Sequence, residues 1–291
     1  MERIKVAAVQ SGVDPRWSPD EWVNHLRWQL AACREAGVQL AVFPAWSGAY
    51  QESYPRGFPE EALSTLAQLL GGLAREAGLC LVPGTIPVRC GDAIKIRGLV
   101  LSPSGDLLGA QDQLQPPPGF TPGGELAAIP SPVGRLGLII GDDVQIPEIG
   151  RILALQGADL LCVPQALPAP HHPARQQAGL WQVVQANQVP GIEACLVGEW
   201  CGARHEGRSR IIGTVEMTVG GTGILAEATS LDRTEIVAGE IDYDGLLRAR
   251  ESFPIFSAFN LGLYRSRLPE AYRRLASAAA GCDGGNGGEG A

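Results

Sequence analysis

Short β-rich runs alternate with longer amphipathic stretches along the first half of the chain. The short runs are IKVAAVQ, VQLAVF and LCLVPGTI, and the stretches 19–36 and 60–77 separate them. This order predicts a β-sheet with helices packed against it, which is an α/β fold. With 291 residues, 45% of them hydrophobic, the chain is long enough to bury one large core.

The alternation is interrupted at residues 96–111. IRGLVLSPSGDLLGAQ contains two apolar runs around a Pro-Ser-Gly turn, with no room for a helix between them. This pattern predicts a β-hairpin, so the sheets should be mixed. The alternation then resumes, with helices predicted at 146–156, 175–186 and 243–250 and strands in RLGLIIGDD, ADLLCVP, GIEACLVGEW, SRIIG, GILAEA and EIVAGEID.

Composition excludes several partners. The formal charge of −8 and the pI near 5.1 argue against nucleic acid and against anionic membranes, both of which need clustered Lys and Arg. The chain lacks an apolar run of about 18 residues, and its first residues lack a signal pattern, so we expect a cytoplasmic protein. Seven widely spaced cysteines with no CxxC pair predict neither disulfides nor a zinc site. We expect no cofactor and no metal.

The chain is predicted to form one domain over residues 1–280. The last residues, GCDGGNGGEGA at 281–291, are too rich in Gly to order themselves and should form a flexible tail.

A strand over 38–43 runs into Pro44, and an α/β enzyme would hold a catalytic side chain directly after it. The residue there is Ala45. Five segments carry a resemblance: VAAVQ, QLAVFP, SPSGDLLG, FTPGGE and, most specifically, GRLGLIIGDDVQIPEIGRILALQGADLLCVP at 134–164. From about residue 4 to 264 the chain resembles the nitrilase, or carbon-nitrogen hydrolase, superfamily.

The resemblance implies an α-β-β-α sandwich with mixed sheets, and a homodimer or larger homo-oligomer. It also implies a catalytic Glu, Lys and Cys, each at the end of a different strand. Carried over position by position, all three are replaced: FPE is FPA at Ala45, the Lys segment reads AQDQLQ with Gln113 (or, in another register, Gln111), and ICxD is IGDD at Gly141. QPPPGFTPG also lacks an acidic residue that the family usually carries before its FxPG segment.

These replacements predict a homologue without the catalytic triad, and therefore without catalytic residues. Such a pseudoenzyme would bind a protein partner, or a small carbonyl, carboxylate or amide ligand in the vacated pocket. Trp46, Tyr50 and Asp142 are the candidate pocket residues, with Tyr54 nearby; the alternative for the aromatic residues is packing on the sheet.

Two other functions stay open. One is an active amidase or nitrilase-type hydrolase with unfamiliar residues, such as Cys201 with His205 in EWCGARHEG. The other is a structural subunit that stabilises an active paralogue.

Further candidates have simpler explanations. Asp142 and Asp143 are adjacent carboxylates that suit acid–base chemistry or a cation, but the resemblance favours a structural Asp143. His171 and His172 lie among prolines with no third ligand at a useful spacing, which favours an ordinary loop over a metal site. Three tryptophans do not share one helical stripe, so at most two can face the core together, and they indicate packing and not a site: Trp17, Trp22 and Trp28.

Overall fold

The computed structural model describes residues 3–14, 16–48 and 56–282, and the side chains up to residue 275. The strands are β1 Arg3–Gln10, β2 Leu40–Val42, β3 Phe58–Pro59, β4 Cys80–Val82, β5 Thr85–Cys90, β6 Ala93–Leu101, β7 Leu107–Asp112, β8 Ile129–Ser131, β9 Gly134–Leu138, β10 Leu160–Gln165, β11 Gly191–Cys195, β12 Gly198–Trp200, β13 Ala203–His205, β14 Arg210–Ile212, β15 Ile224–Glu227 and β16 Glu235–Asp242. The helices are α1 Pro19–Glu35, α2 Leu63–Ala77, α3 Pro147–Leu155, α4 Pro173–Gln176, α5 Gln182–Asn187, α6 Tyr243–Ser252 and α7 Leu261–Cys282.

Two mixed sheets organise the strands. One has the order β16-β1-β2-β4-β6-β5-β3, with β7 paired to β6, and the other has the order β15-β14-β11-β10-β9-β8. Both contain parallel and antiparallel pairs, for example β1 with β2 and β1 with β16. The predicted mixed α/β fold is confirmed, as is the hairpin, which β6 and β7 form.

Alternation of side chains along β1 separates two apolar layers. Ile4, Val6 and Ala8 belong to a core that also contains residues of the second sheet, whereas Ala7 and Val9 pack with residues of α1 and α2. Successive strand residues point to opposite faces, so one strand supplies both layers. A third apolar cluster joins the second sheet to α3 and α5, which gives the α-β-β-α order of layers.

A capping box starts α1. The Ser18 hydroxyl accepts from the Glu21 N–H, and the Glu21 carboxylate accepts from the Ser18 N–H. Only Trp22 of the three tryptophans in this region is buried, and Trp28 is 60% exposed. This agrees with the expectation that at most two of the three face the core, and the half-buried Trp17 contacts the His25 ring in a tilted arrangement.

Two predicted elements are interrupted by close backbone packing. The predicted helix at 175–186 is divided into α4, one π-helical turn and α5, with non-helical angles at Gly179. A Cβ on Gly179 would lie 2.9 Å from the Gln145 amide nitrogen. The run LCLVPGTI forms two strands, because Gly84 between them has φ +93° and lies where a Cβ would be 2.0 Å from the Pro44 carbonyl oxygen. Neither contact is local in sequence.

The chain divides into two compact units, Met1–Ser252 and Phe253–Ala291. In the second unit, the Phe259 ring lies 5.5 Å from the Phe256 ring and 5.6 Å from the Tyr264 ring, centroid to centroid. Phe256 and Phe259 precede α7 and Tyr264 belongs to it. This helix was not predicted. A single domain over 1–280 stays a prediction. Residues 281 and 282 are helical, and the rest of the predicted tail lies outside the described residues. In the part of the chain that is described, no helix is both long and apolar enough to span a membrane.

Adjacent glycines in α2 give a matched test of this packing. A Cβ at Gly71 would lie 2.2 Å from the Gly105 carbonyl oxygen, whereas a Cβ at Gly72 has nothing within 4 Å. We expect Gly71→Ala to lower the free energy of unfolding by about 1–3 kcal/mol through overpacking. Gly72→Ala should raise it by about 0.5–1 kcal/mol through helix propensity. Urea denaturation measures both, and equal effects of the two substitutions would contradict the packing described.

Candidate active site and its cavity

The three positions aligned with Glu, Lys and Cys line one cavity of about 370 Å³. Ala45 follows β2, Gln113 follows β7 and Gly141 follows β9, so each is delivered by the end of a different strand. The Ala45 N–H donates to the carbonyl of Gln165, the last residue of β10, at 3.3 Å, which joins the two sheets at this edge. All three residues therefore lie at one edge of the sandwich.

Gly141 and Gln113 are in close contact. Gly141 has φ +55°, in the left-handed region that glycine adopts readily, and it begins a short 3₁₀ turn. A Cβ at this position would lie 3.1 Å from the Gln113 amide nitrogen. Among the described residues, that nitrogen makes one long contact of 3.5 Å with the Gln115 carbonyl, so its hydrogen-bonding capacity is largely unused within this part of the chain. Gln111, the other register, donates to Asp112 and Glu125 carbonyls and does not line the cavity.

The adjacent carboxylates have separate roles. Asp143 is 1% exposed and accepts from the backbone N–H groups of Leu114 and Gln115 at 2.7 and 2.8 Å. Burial raises the pKa of its carboxyl, although these hydrogen bonds act in the opposite direction. Asp142 lines the cavity and forms an ion pair with Arg175 at 2.7 Å. Among the described residues, no group of three acidic, His or Cys side chains is placed to hold a metal ion.

Trp46 forms one wall of the cavity in an unusual backbone conformation. Its φ is +69°, its N–H donates to the Thr85 hydroxyl at 2.9 Å, and its ring lies 6.5 Å from Trp200 and 6.0 Å from Phe120. Such angles are rare for a large side chain and persist only where the surroundings hold them. Trp46 therefore both lines the cavity and packs. Tyr50 and Tyr54 lie outside the described residues.

Cys201 and His205 occupy opposite ends of the β12–β13 hairpin. His205 pairs with Gly198 at the base, lines the cavity and is 8% exposed, and burial lowers its pKa. Cys201 lies in the exposed turn, separated from His205 by β13, which spans about 10 Å at 3.3 Å per residue. Burial also raises the pKa of the Cys201 thiol, which disfavours the reactive thiolate. This geometry does not form a Cys–His dyad.

The fold that surrounds this cavity resembles that of known proteins. The family model described as carbon-nitrogen hydrolase matches residues 5–251. The chain belongs to the carbon-nitrogen hydrolase family. It is 25% identical to the omega-amidase NIT2 of Bos taurus over 242 residues, covering 78% of this chain and 85% of that protein. It is 24% identical to the chloroplastic omega-amidase of Arabidopsis thaliana over 253 residues, covering 80% of this chain and 66% of that protein.

Solved structures of carbon-nitrogen hydrolases share the fold. The carbon-nitrogen hydrolase from Helicobacter pylori G27 superposes with a TM-score of 0.75 at 21% identity, covering 91% of this chain and 97% of that one. A double mutant of the amidase from Nesterenkonia sp. AN1, in complex with acrylamide, gives a TM-score of 0.72 at 23% identity, covering 86% and 95%.

A buried polar network behind the cavity of this carbon-nitrogen hydrolase family member was not predicted. Arg210 and Glu193 are 4% and 1% exposed, and the Arg210 guanidinium donates to the Glu193 carboxylate at 2.7 Å. The Gln176 amide also donates to that carboxylate, at 2.8 Å, and its oxygen is bonded to the His171 ring. This network holds α4, and with it the cavity residue Arg175. An acidic residue inside the apolar run GIEACLV was the available signal.

His171 is therefore a partner of Gln176, and His172 is the residue directly before α4. Gln165 is a further cavity residue that sequence reasoning missed, and its amide donates to the Gly141 carbonyl at 3.2 Å.

The neighbouring aspartates give a second matched test. Asp143→Asn leaves one carboxamide oxygen for two buried N–H groups and places an NH₂ group beside one of them. We expect it to lower the free energy of unfolding by about 2–3 kcal/mol. Asp142→Asn removes only an exposed ion pair and should cost less than about 1 kcal/mol. Urea denaturation at pH 7 measures both, and equal costs would contradict the structural role of Asp143.

Proposed function

We propose that this chain binds a small polar ligand in the cavity at positions 45, 113 and 141 and does not hydrolyse it. The observation that carries the proposal is the lining itself. Among the described residues that face the cavity, none is a Cys, Lys or Glu. Amide hydrolysis of the family type needs a nucleophile, a proton carrier and a group that stabilises the developing charge. Ala45, Gln113 and Gly141 supply none of these.

Magnitudes favour binding over slow catalysis. Loss of a nucleophile from a catalytic unit costs on the order of 10⁶ in turnover, and the remaining members of the unit do not restore it. Binding depends less on these groups, because hydrogen bonds and apolar walls also hold a ligand. The largely unused Gln113 amide and the apolar walls at Trp46 and Ile140 offer such contacts.

The charge of the cavity suggests the ligand class. Arg175 is already paired with Asp142. Among the described lysines and arginines, the lining therefore offers no unpaired cation that could bind a ligand carboxylate. A carbonyl, carboxylate or amide ligand would therefore be held mainly by hydrogen bonds, to Gln113 above all. The named relatives are omega-amidases and an amidase, which makes small amides the first probes.

An active hydrolase is the second candidate, and the names of these relatives are what favour it. It requires a nucleophile elsewhere, such as Cys201, and the position of Cys201 at the hairpin turn is unfavourable for attack in the cavity. A homodimer or larger homo-oligomer, a cytoplasmic location and a role beside an active paralogue stay predictions from the sequence.

Ammonia release tests the absence of hydrolysis. We expect the native protein to release none from butyramide or from butyronitrile, because the described lining of the cavity has no cysteine to act as the nucleophile. The triple variant Ala45→Glu, Gln113→Lys and Gly141→Cys should release ammonia if the cavity keeps its family shape. The matched control carries the first two substitutions and retains Gly141. Release by the native protein at an enzyme's rate would overturn the proposal, and its loss in Cys201→Ser would establish the second candidate.

Ligand binding is tested separately by saturation-transfer NMR with butyramide, butyrate and butanal. We expect at least one of the three to bind the native protein. Gln113→Leu should weaken that binding about fivefold or more, because it removes a hydrogen bond inside the cavity. Binding of none of them, with the protein folded, would contradict the ligand-binding role.

A further inference from the structure

A second cavity, of about 610 Å³, lies beside the β12–β13 hairpin and shares no lining residue with the first. It is bounded by the loop after β1, the start of α1 and Glu199 of the hairpin. The hairpin stands between the two cavities, because Gly198 lines one and its register partner His205 lines the other.

A buried hydrogen-bonded chain ends at this second cavity. Gln29 is 0% exposed and its amide donates to the Ser11 hydroxyl at 2.8 Å. Ser11 is 1% exposed, and its hydroxyl lies 3.0 Å from the His25 Nε2 atom and 3.0 Å from the Gly12 carbonyl oxygen. His25 itself lines the cavity.

The hydrogen count selects one tautomer of His25. The Ser11 hydroxyl has a single hydrogen, and two acceptors compete for it. If His25 Nε2 carries a hydrogen and donates to Ser11, then Ser11 can donate to the Gly12 carbonyl, and the ring nitrogen, the hydroxyl and that carbonyl all have partners. The buried Gln29 side-chain oxygen has no partner among the described residues in either arrangement. If Ser11 donates to His25 instead, the carbonyl of the half-buried Gly12 loses its hydrogen bond from the Ser11 hydroxyl. The arrangement in which His25 Nε2 donates leaves Nδ1 without a hydrogen, as an acceptor for a ligand.

The charges that line the second cavity also favour a ligand that donates hydrogen bonds. Arg16 forms two hydrogen bonds to the carboxylate of Asp14, at 2.9 and 2.7 Å, so these two lining residues neutralise each other. Glu199 forms no ion pair with any residue in the described ranges; Arg204, its register partner in the hairpin, pairs with Glu206 and Asp232. Burial lowers the pKa of His25, which favours the neutral form of the ring. The lining therefore carries one unpaired negative charge and an unused nitrogen acceptor.

The remaining wall is aromatic. The Trp17 ring lines the cavity and lies 4.4 Å from the His25 ring, centroid to centroid. The face of an indole ring attracts cations through its quadrupole, and the attraction is stronger for indole than for other aromatic side chains.

We propose that this second cavity binds a small organic ammonium ion. The ligand's N–H group donates to His25 Nδ1, its positive charge pairs with Glu199, and the Trp17 ring covers it. The site is independent of the proposed function of the first cavity.

Three probes of similar shape and different charge test the ligand class by isothermal titration calorimetry at pH 7.5: benzylammonium, benzyl alcohol and benzoate. We expect benzylammonium to bind at least tenfold more tightly than benzyl alcohol, and benzoate to bind most weakly. The proposal would be overturned if benzyl alcohol or benzoate bound as tightly as benzylammonium or more tightly. It would also be overturned if benzylammonium did not bind. Butyramide in excess should not displace benzylammonium, and displacement would place the amine in the first cavity and overturn the assignment.

Variants test the residues. Glu199→Gln should weaken benzylammonium binding about fivefold and Trp17→Leu about tenfold. Glu251→Gln, a matched exposed carboxylate on α6, should leave it unchanged. Because Glu199 is exposed, Glu199→Gln should fold normally, and unchanged affinity in this variant would contradict the proposal. Nitrogen-15 NMR of the free protein should show the His25 proton on Nε2, and a proton on Nδ1 in its neutral form would also contradict it.

Discussion

The apolar layer between the two sheets determines where the strands of this protein end. Ile4, Val6 and Leu40 of the first sheet and Leu136 and Leu160 of the second are all 0% exposed and belong to one core. Because each side chain is close-packed against the other sheet, neither sheet can slide without opening voids. The strand ends are thereby held at one edge of the sandwich. Positions 45, 113 and 141 meet there through this packing, and the identity of the residues at these positions has little influence on it.

This packing also explains why a cavity persists beside the small residues Ala45 and Gly141. Small side chains at two positions would allow neighbours to collapse inward, yet the volume remains about 370 Å³. Asp143 holds the backbone at 114–115 on one side, and Trp46 is held in its left-handed conformation by Thr85 and the surrounding rings on another. Beneath α4, the Glu193–Arg210 pair is fully buried, and the loss of either partner would leave an unpaired charge costing about 3–5 kcal/mol.

The sequence was most informative where local pattern decides structure. The strand β1 and the Pro-Ser-Gly turn of the β6–β7 hairpin depend on neighbouring residues, and both were predicted. Features that depend on distant contacts were missed. The interruption at Gly179 requires the approach of Gln145, and the Asp142–Arg175 pair joins residues 33 positions apart. Cys201 and His205 are close in sequence, but the hairpin turn between them determines that the first lies at its tip and the second at its base.

The candidate site was predictable as a set of positions and not as a chemical environment. The motif alignment located Ala45, Gln113 and Gly141, which do line one cavity, whereas Arg175, Gln165 and the buried network required coordinates. The second cavity had only weak signals, since Ser11, His25 and Gln29 lie on a strand end and a helix with no shared motif. Their association depends on the angle at which α1 packs against β1, and single-residue patterns do not encode that angle.

The contact between Gly141 and Gln113 also bears on how such a site changes over evolutionary time. A Cβ at 141 would lie 3.1 Å from the Gln113 amide, so any side chain there requires this carboxamide to move by a few tenths of an ångström. The left-handed φ at 141 adds a backbone cost for every residue except glycine. The effect of a substitution at one of these positions therefore depends on the residue at the other, which is epistasis. In this chain, a substitution that adds a side chain at 141 is coupled to the residue at 113.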